Sequence, residues 1–136
     1  MNLIVGNTSQ LFPYFKEYDP NIIGVSSRDF NVESLGGQTF ERAFIAFAEQ
    51  RTFLNEKLSF FTDINVDYTL NVIIKLSPYV KTFIVYSTSE LWNGYEGGIN
   101  LHTPYNYNDS PYIKSKEIME YRVNLLRNFG VDIKII

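Results

Sequence analysis

With 136 residues and no cysteine, the chain fits a single domain and excludes disulfides and thiolate metal sites. Its 45% hydrophobic and 16% aromatic content suffices for a real core, with roughly two thirds of the unfolded surface going inside at this size. A net charge of −3, from 12 Lys and Arg against 15 Asp and Glu, is the wrong sign for a surface that tracks nucleic-acid phosphates.

Leu3-Ile4-Val5 is a short apolar run stopped by Gly6, which predicts a buried strand. A weak helix follows over 9–18, with Pro13 tolerable only in a first turn. After the turn Asp19-Pro20-Asn21, residues 22–25 form a second buried strand. Residues 29–41 are loop or short helix around Gly36-Gly37, and residues 43–47 are the third strand. From 55 to 76, Ile64, Tyr68, Val72 and Leu76 recur every four residues, so a helix is expected there, ended by Pro78. Phe83-Ile84-Val85-Tyr86 is the fourth strand.

Residues 93–109 are rich in Gly and Tyr, without period, and of a length that usually carries function. Asp109 or Ser110 can cap the next helix, with Pro111 at its first position. Ile118, Tyr121, Leu125 and Phe129 form its apolar stripe. Gly130 stops it, and residues 131–136 make a fifth strand.

Apolar strands alternating with helices predict an α/β fold: a three-layer, open parallel sheet of about five strands, helices on both faces, as one domain over 1–136. The ligand crevice of such a sheet lies beyond the carboxyl ends of its strands, here segments 6–10, 26–29, 48–51 and 87–94. The opening residues lack the basic start and apolar run of a signal peptide, and no stretch approaches the ~18 apolar residues of a membrane span. His102 has no partner His or Cys, so no metal site is expected. A soluble cytoplasmic domain, bound to neither nucleic acid nor membrane, is the expectation.

The sharpest chemical signal is Tyr112 and Lys116, a phenol and an ammonium one helical turn apart. A nearby ammonium favours phenolate and lowers the phenol's pKa from ~10, which suits acid/base work near neutrality. On spacing alone, an exposed helical pair without function fits better.

In context, residues 110–120 (SPYIKSKEIME) resemble the active-site helix of the extended short-chain dehydrogenase/reductases, the NAD-dependent epimerase/dehydratase family. Residues 44–50 (FIAFAEQ) look like that family's strand with its Ala-Ala loop, and 65–72 (NVDYTLNV) is similar to its Asn-Val-x-Gly-Thr-x-Asn helix. Residues 80–92 (VKTFIVYSTSELW) look like the strand and Ser-Thr-Asp-Glu-Val-Tyr turn of sugar-nucleotide dehydratases. These matches fall in order and span nearly the whole chain.

The resemblance implies a Rossmann-like domain that binds NAD or NADP and a nucleotide or sugar-nucleotide substrate. Tyr112 would be the general acid/base, with Lys116 lowering its pKa and binding the cofactor ribose. Thr88 would hydrogen-bond the reacting sugar. Gly6, Thr8, Ser9 and Gln10, then Ser26, Ser27 and Arg28, then Ala48 and Glu49 would line the cofactor. Ser89 and Glu90 stand where dehydratases carry Asp and Glu, and Ser89 lacks the carboxylic acid that water elimination uses.

The family's Gly-x-x-Gly-x-x-Gly loop reads here Gly6-Asn7-Thr8-Ser9-Gln10-Leu11-Phe12, with Ser9 and Phe12 replacing glycines. Ser26-Ser27-Arg28 replaces the acidic residue of an NAD site, and a hydroxyl pair with an arginine suits a 2′-phosphate, hence NADP over NAD. Arg28 as a plain surface charge is the alternative. The family's sugar-gripping C-terminal domain follows the fifth strand and is not expected within residues 1–136.

Two functions follow. One is a minimal oxidoreductase or epimerase-like enzyme, its site closed by a partner subunit or by Tyr95, Tyr105 and Tyr107 of the loop. The other is an inactive relative that binds a nucleotide or a protein as a regulatory module. An exposed fifth-strand edge would permit a homodimer.

Overall fold

A computed structural model describes residues 1–88, 91 and 110–136 of the chain. Five strands, β1 (Asn2–Val5), β2 (Ile23–Val25), β3 (Phe40–Ile45), β4 (Val80–Val85) and β5 (Ile133–Ile135), form one sheet in the order β2-β1-β3-β4-β5. Every pairing is parallel, with Val5 opposite both Val25 and Ile45 and Ile45 opposite Val85. From β1 the chain passes to β2 on one side and then to β3 on the other, so the topological switch point lies at the carboxyl ends of β1 and β3.

Period-two alternation divides the sheet's two faces. Leu3, Val5, Ala43, Ile45, Phe83, Val85 and Ile133 form one buried cluster with Val66, Val72, Ile73, Leu76, Met119 and Val123 of the helices. Those helical residues come from a π-helical turn (Asp63–Tyr68) that continues α2 (Leu58–Thr62), from α3 (Thr69–Leu76) and from α4 (Pro111–Leu126). The opposite face, with Ile4, Gly24 and Phe44, meets α1 (Phe12–Tyr18), whose Phe15 ring lies 4.5 Å from that of Phe44. The helices therefore cover both faces, as expected.

Several boundaries moved. The expected helix over 9–18 begins only at Phe12, which puts Pro13 in its first turn. Residues 32–35 form a 3-10 turn closed by Gly36 at φ 63°. The helix expected over 55–76 starts at Leu58 and is interrupted by the π turn, which adds a residue to one turn and shifts the register. As a result Ile64 leaves the stripe and is 36% exposed, while Val72 and Leu76 stay buried.

The stripe expected on α4 is a correction. Tyr121 and Leu125, and Phe129 just beyond the helix, are exposed, and the inward face is Tyr112, Ile113, Ser115, Lys116, Met119 and Val123. Two polar side chains on that face have buried partners, so it can turn inward without stranding them. Among the described residues no helix is long and apolar enough to cross a membrane.

Candidate functional site

Gly6 ends β1 at φ 109°, and a Cβ there would lie 2.6 Å from the Ala46 carbonyl oxygen. Only glycine lets the loops after β1 and β3 approach this closely. Phe12 finds its room on β2. Its ring lies on β2 at Gly24, where a Cβ would come within 2.6 Å of it.

The backbone donors of this loop are largely engaged within the protein. Gly6 and Asn7 N–H donate to the Val25 carbonyl, Ser9 N–H to Gly6 O, and Phe12 N–H to Ser9 O. Leu11 N–H donates to Ser9 Oγ at 3.2 Å. Pro13 has no N–H at all.

Beyond β2, Arg28 N–H donates to Ser26 Oγ at 3.2 Å, and the Tyr68 hydroxyl donates to the Ser27 carbonyl. Tyr68 is itself packed edge-on against Phe47, ring centroids 5.4 Å apart. The turn that carries Arg28 is thus tied to the loop after β3 and to the π turn.

Beyond β3, Asn65 holds both backbone groups of Glu49. Its Oδ1 accepts from Glu49 N–H at 2.7 Å, and its Nδ2 donates to Glu49 O at 3.0 Å and to Ser115 Oγ at 2.9 Å. Ser115 Oγ in turn donates to the Tyr112 carbonyl at 2.6 Å. Asn65 is 1% exposed and Ser115 fully buried, so this network ties the loop after β3 to the start of α4. The π turn places Asn65 there, and Thr69 Oγ1 donates to the Ile64 carbonyl within it. The Glu49 carboxylate takes Arg51 Nε and Nη2 at 2.8 Å each, which holds it below the usual carboxylate range.

Lys116 is 5% exposed, and its Nζ donates to the Tyr86 carbonyl at 2.8 Å. Burial drives its pKa down to about 8, with the Glu120 carboxylate pulling the other way. Ser87 Oγ beside it is buried and has no hydrogen-bond partner among the described residues. Burial also raises the Tyr86 phenol above its usual range.

These elements enclose two adjoining clefts. One, of about 570 Å³, is lined by Gly6, Thr8, Ser9, Gln10, Arg28, Ala48, Ser87 and Lys116, among others. The other, of about 610 Å³, is lined by Glu49, Arg51, Ile64 and Tyr68 and shares Ser27, Arg28, Phe47, Ala48 and Gln50 with the first. Of the residues expected around a cofactor, all but Ser26 line one cleft or both, and Ser26 shapes the turn beneath Arg28.

The expected catalytic set is less gathered. Lys116 lines the first cleft, whereas neither Tyr112 nor Thr88 lines either one. The Tyr112 ring sits with Phe61, Leu91 and Ile113, 6.1 Å from the Phe61 ring centroid, at 8% exposure. Ser89, Glu90, Trp92, His102 and the tyrosines at 95, 105 and 107 lie outside the described residues. Sequence reasoning passed over Asn65, Ser87 and Tyr68 as individual contributors. An asparagine amid an apolar helical run was the one available signal.

No family model matches the sequence, and no curated protein matches it. Solved structures do. A UDP-glucuronic acid 4-epimerase from Bacillus cereus in complex with NAD superposes with a TM-score of 0.78 at 13% identity, over 98% of this chain and 54% of its own. The UDP-glucose 4-epimerase of Thermotoga maritima with UDP-glucose gives 0.73 at 20% identity, over 99% and 54%. RMD from Pseudomonas aeruginosa complexed with NADPH gives 0.78 at 15%, over 98% and 52%. The chain spans about half the length of these proteins and, across nearly all of its own residues, has the Rossmann-like fold of NAD-dependent sugar-nucleotide epimerases and dehydratases.

Proposed function

We propose that the two clefts hold a nicotinamide dinucleotide, NADP in preference to NAD, and that the protein is an oxidoreductase or epimerase-like enzyme acting on a nucleotide or sugar nucleotide. The observation that carries this reading is Lys116, a lysine 5% exposed whose ammonium reaches a cleft lined by Gly6, Ser9 and Arg28. A buried ammonium costs folding energy, and such costs concentrate at functional sites. The structural neighbours, solved with NAD, NADPH and UDP-glucose, support the ligand class.

The chain's residues fit a dinucleotide at both ends. The unpartnered Ser87 Oγ and the Lys116 ammonium offer a donor-rich wall for ribose hydroxyls, and Arg28 offers a cation for a phosphate at the other. The nicotinamide would supply hydride transfer. Tyr112 would give and take the substrate proton, Lys116 would hold positive charge beside the ribose, and Thr88 would orient the reacting hydroxyl. The fold lets two copies pair through the outer edge of β5, which has β4 on one side and no strand on the other among the described residues.

A second reading is a protein that binds the nucleotide without turnover. It is favoured by Tyr112 sitting among Phe61, Leu91 and Ile113 and lining neither of the two clefts. Calorimetric titration of NADPH, NADH and ADP-ribose, beside a Tyr112→Phe variant, separates the readings. The proposal expects binding of NADPH, oxidation of NADPH on a carbonyl panel, and loss of that oxidation in Tyr112→Phe. Binding without oxidation leaves the carrier reading, and no binding of any of the three rejects both. Sedimentation tests the dimer, which a monomer at all concentrations would refute.

A further inference from the structure

Parallel sheets ordinarily carry cover on both faces. One face of this sheet is buried under α3 and α4. On the other, α1 lies over part of the width, with Phe12 on Gly24 of β2 and Phe15 on Phe44 of β3. In register with Phe44 come Ile84 of β4 and Lys134 of β5, and no helix lies over them among the described residues. Phe83 and Val85, on the covered face, are each 1% exposed, whereas Ile84 between them is only partly buried. The molecule thus has a ridge, α1, beside a step formed by β4 and β5.

Ridge and step are complementary. α1 presents Tyr14 and Tyr18, 64% and 87% exposed, with Glu17 between them. The step presents Ile84 and Ile136, flanked by the exposed cations Arg42 and Lys134. Glu17, Arg42 and Lys134 make no ion pair among the described residues. Asp132, the carboxylate at the foot of the step, accepts from the Thr82 hydroxyl at 2.8 Å.

Building on the homodimer reading, we infer that two copies of the chain pack face to face about a two-fold axis parallel to the strands, the α1 of each filling the step of the other. That axis carries the ridge of one copy onto the step of its partner and preserves height along the strands. α1 runs from the carboxyl ends of the strands back to Asp19, which accepts from Asn2 Nδ2. Phe15 lies at the height of Phe44, so Tyr14 comes level with the partner's Ile84. Glu17 falls between the levels of the partner's Lys134 and Arg42. Seven helical residues span about 10 Å, close to the ~13 Å rise from Thr82 to Tyr86. The outer edge of β5, three residues long, offers a much smaller contact.

Sedimentation of the intact chain over a concentration series tests this. The parent is expected to dimerise. Tyr18→Ser should weaken the dimer about tenfold, and a ring this exposed is not needed for folding. Lys134→Glu should weaken it by a similar factor, and adding Glu17→Lys should restore it. Leu125→Gln, on the outward face of α4, should leave it unchanged. If the parent dimerises but Tyr18→Ser and Lys134→Glu do not weaken it, if Glu17→Lys fails to restore, or if Leu125→Gln dissociates it, the inference falls while the homodimer reading stands. A monomer at all concentrations removes both.

Discussion

Replacing Lys116 with methionine should make the protein more stable at neutral pH. The lysine lies 5% exposed with its Nζ donating to the Tyr86 carbonyl, and burial lowers its pKa from 10.5 to about 8. That displacement corresponds to about 3 kcal/mol spent on keeping the ammonium charged in the fold. Methionine keeps much of the length and packing of the stem but loses the hydrogen bond to Tyr86 O, worth about 1 kcal/mol. A net gain of about 2 kcal/mol is expected at pH 7. The folded-state pKa lies below the unfolded one, so the penalty is complete below pH 8. It fades between pH 8 and 10.5, where the unfolded chain holds a proton that the folded chain has released. Urea unfolding of both proteins at pH 6.5, 8 and 10 reads this directly. The variant's advantage should shrink as pH rises, and a variant less stable than the parent at pH 6.5 would refute the reasoning.

Further substitutions follow from named contacts. Gly24→Ala drives a methyl into the Phe12 ring and should cost about 2 kcal/mol in thermal unfolding, most of it recovered by adding Phe12→Leu. Gly6→Ala meets both the Ala46 carbonyl and an unfavourable φ, so no partner substitution should rescue it. Asn65→Ala removes three hydrogen bonds from a buried network and should cost about 3 kcal/mol, with weaker nucleotide binding because the Glu49 wall loosens. Leu125→Gln, on the outward face of α4, should change stability by less than about 0.5 kcal/mol, whereas Val123→Ala should cost about 2.

The strands and their parallel arrangement were legible because Leu3-Ile4-Val5 and Phe83-Ile84-Val85 are short apolar runs. Gly6 and Pro13 also meant what their chemistry dictates. Helix faces were read less well. The four-residue spacing at Ile64 ignored a π turn, which no local propensity announces. The stripe at Tyr121, Leu125 and Phe129 ignored two polar residues, Ser115 and Lys116, that find partners only in three dimensions, at Asn65 and Tyr86. The same gap hid the room made for Phe12, because Gly24 is twelve residues away and meets it only once the sheet forms. The residues lining the clefts were legible because the crevice rule names strand ends whatever the side chains are.

The central claim is that a dinucleotide occupies the clefts at the carboxyl ends of β1, β2 and β3. Backbone amide shifts of the isotopically labelled chain, followed as NADPH is added, test it most directly. The account predicts saturable shifts concentrated at Thr8, Gln10, Arg28, Ala48 and Ser87, with little change at Phe129 or Lys81 near the amino ends of the strands. Shifts confined to those amino ends, or none at all at millimolar NADPH, would contradict it.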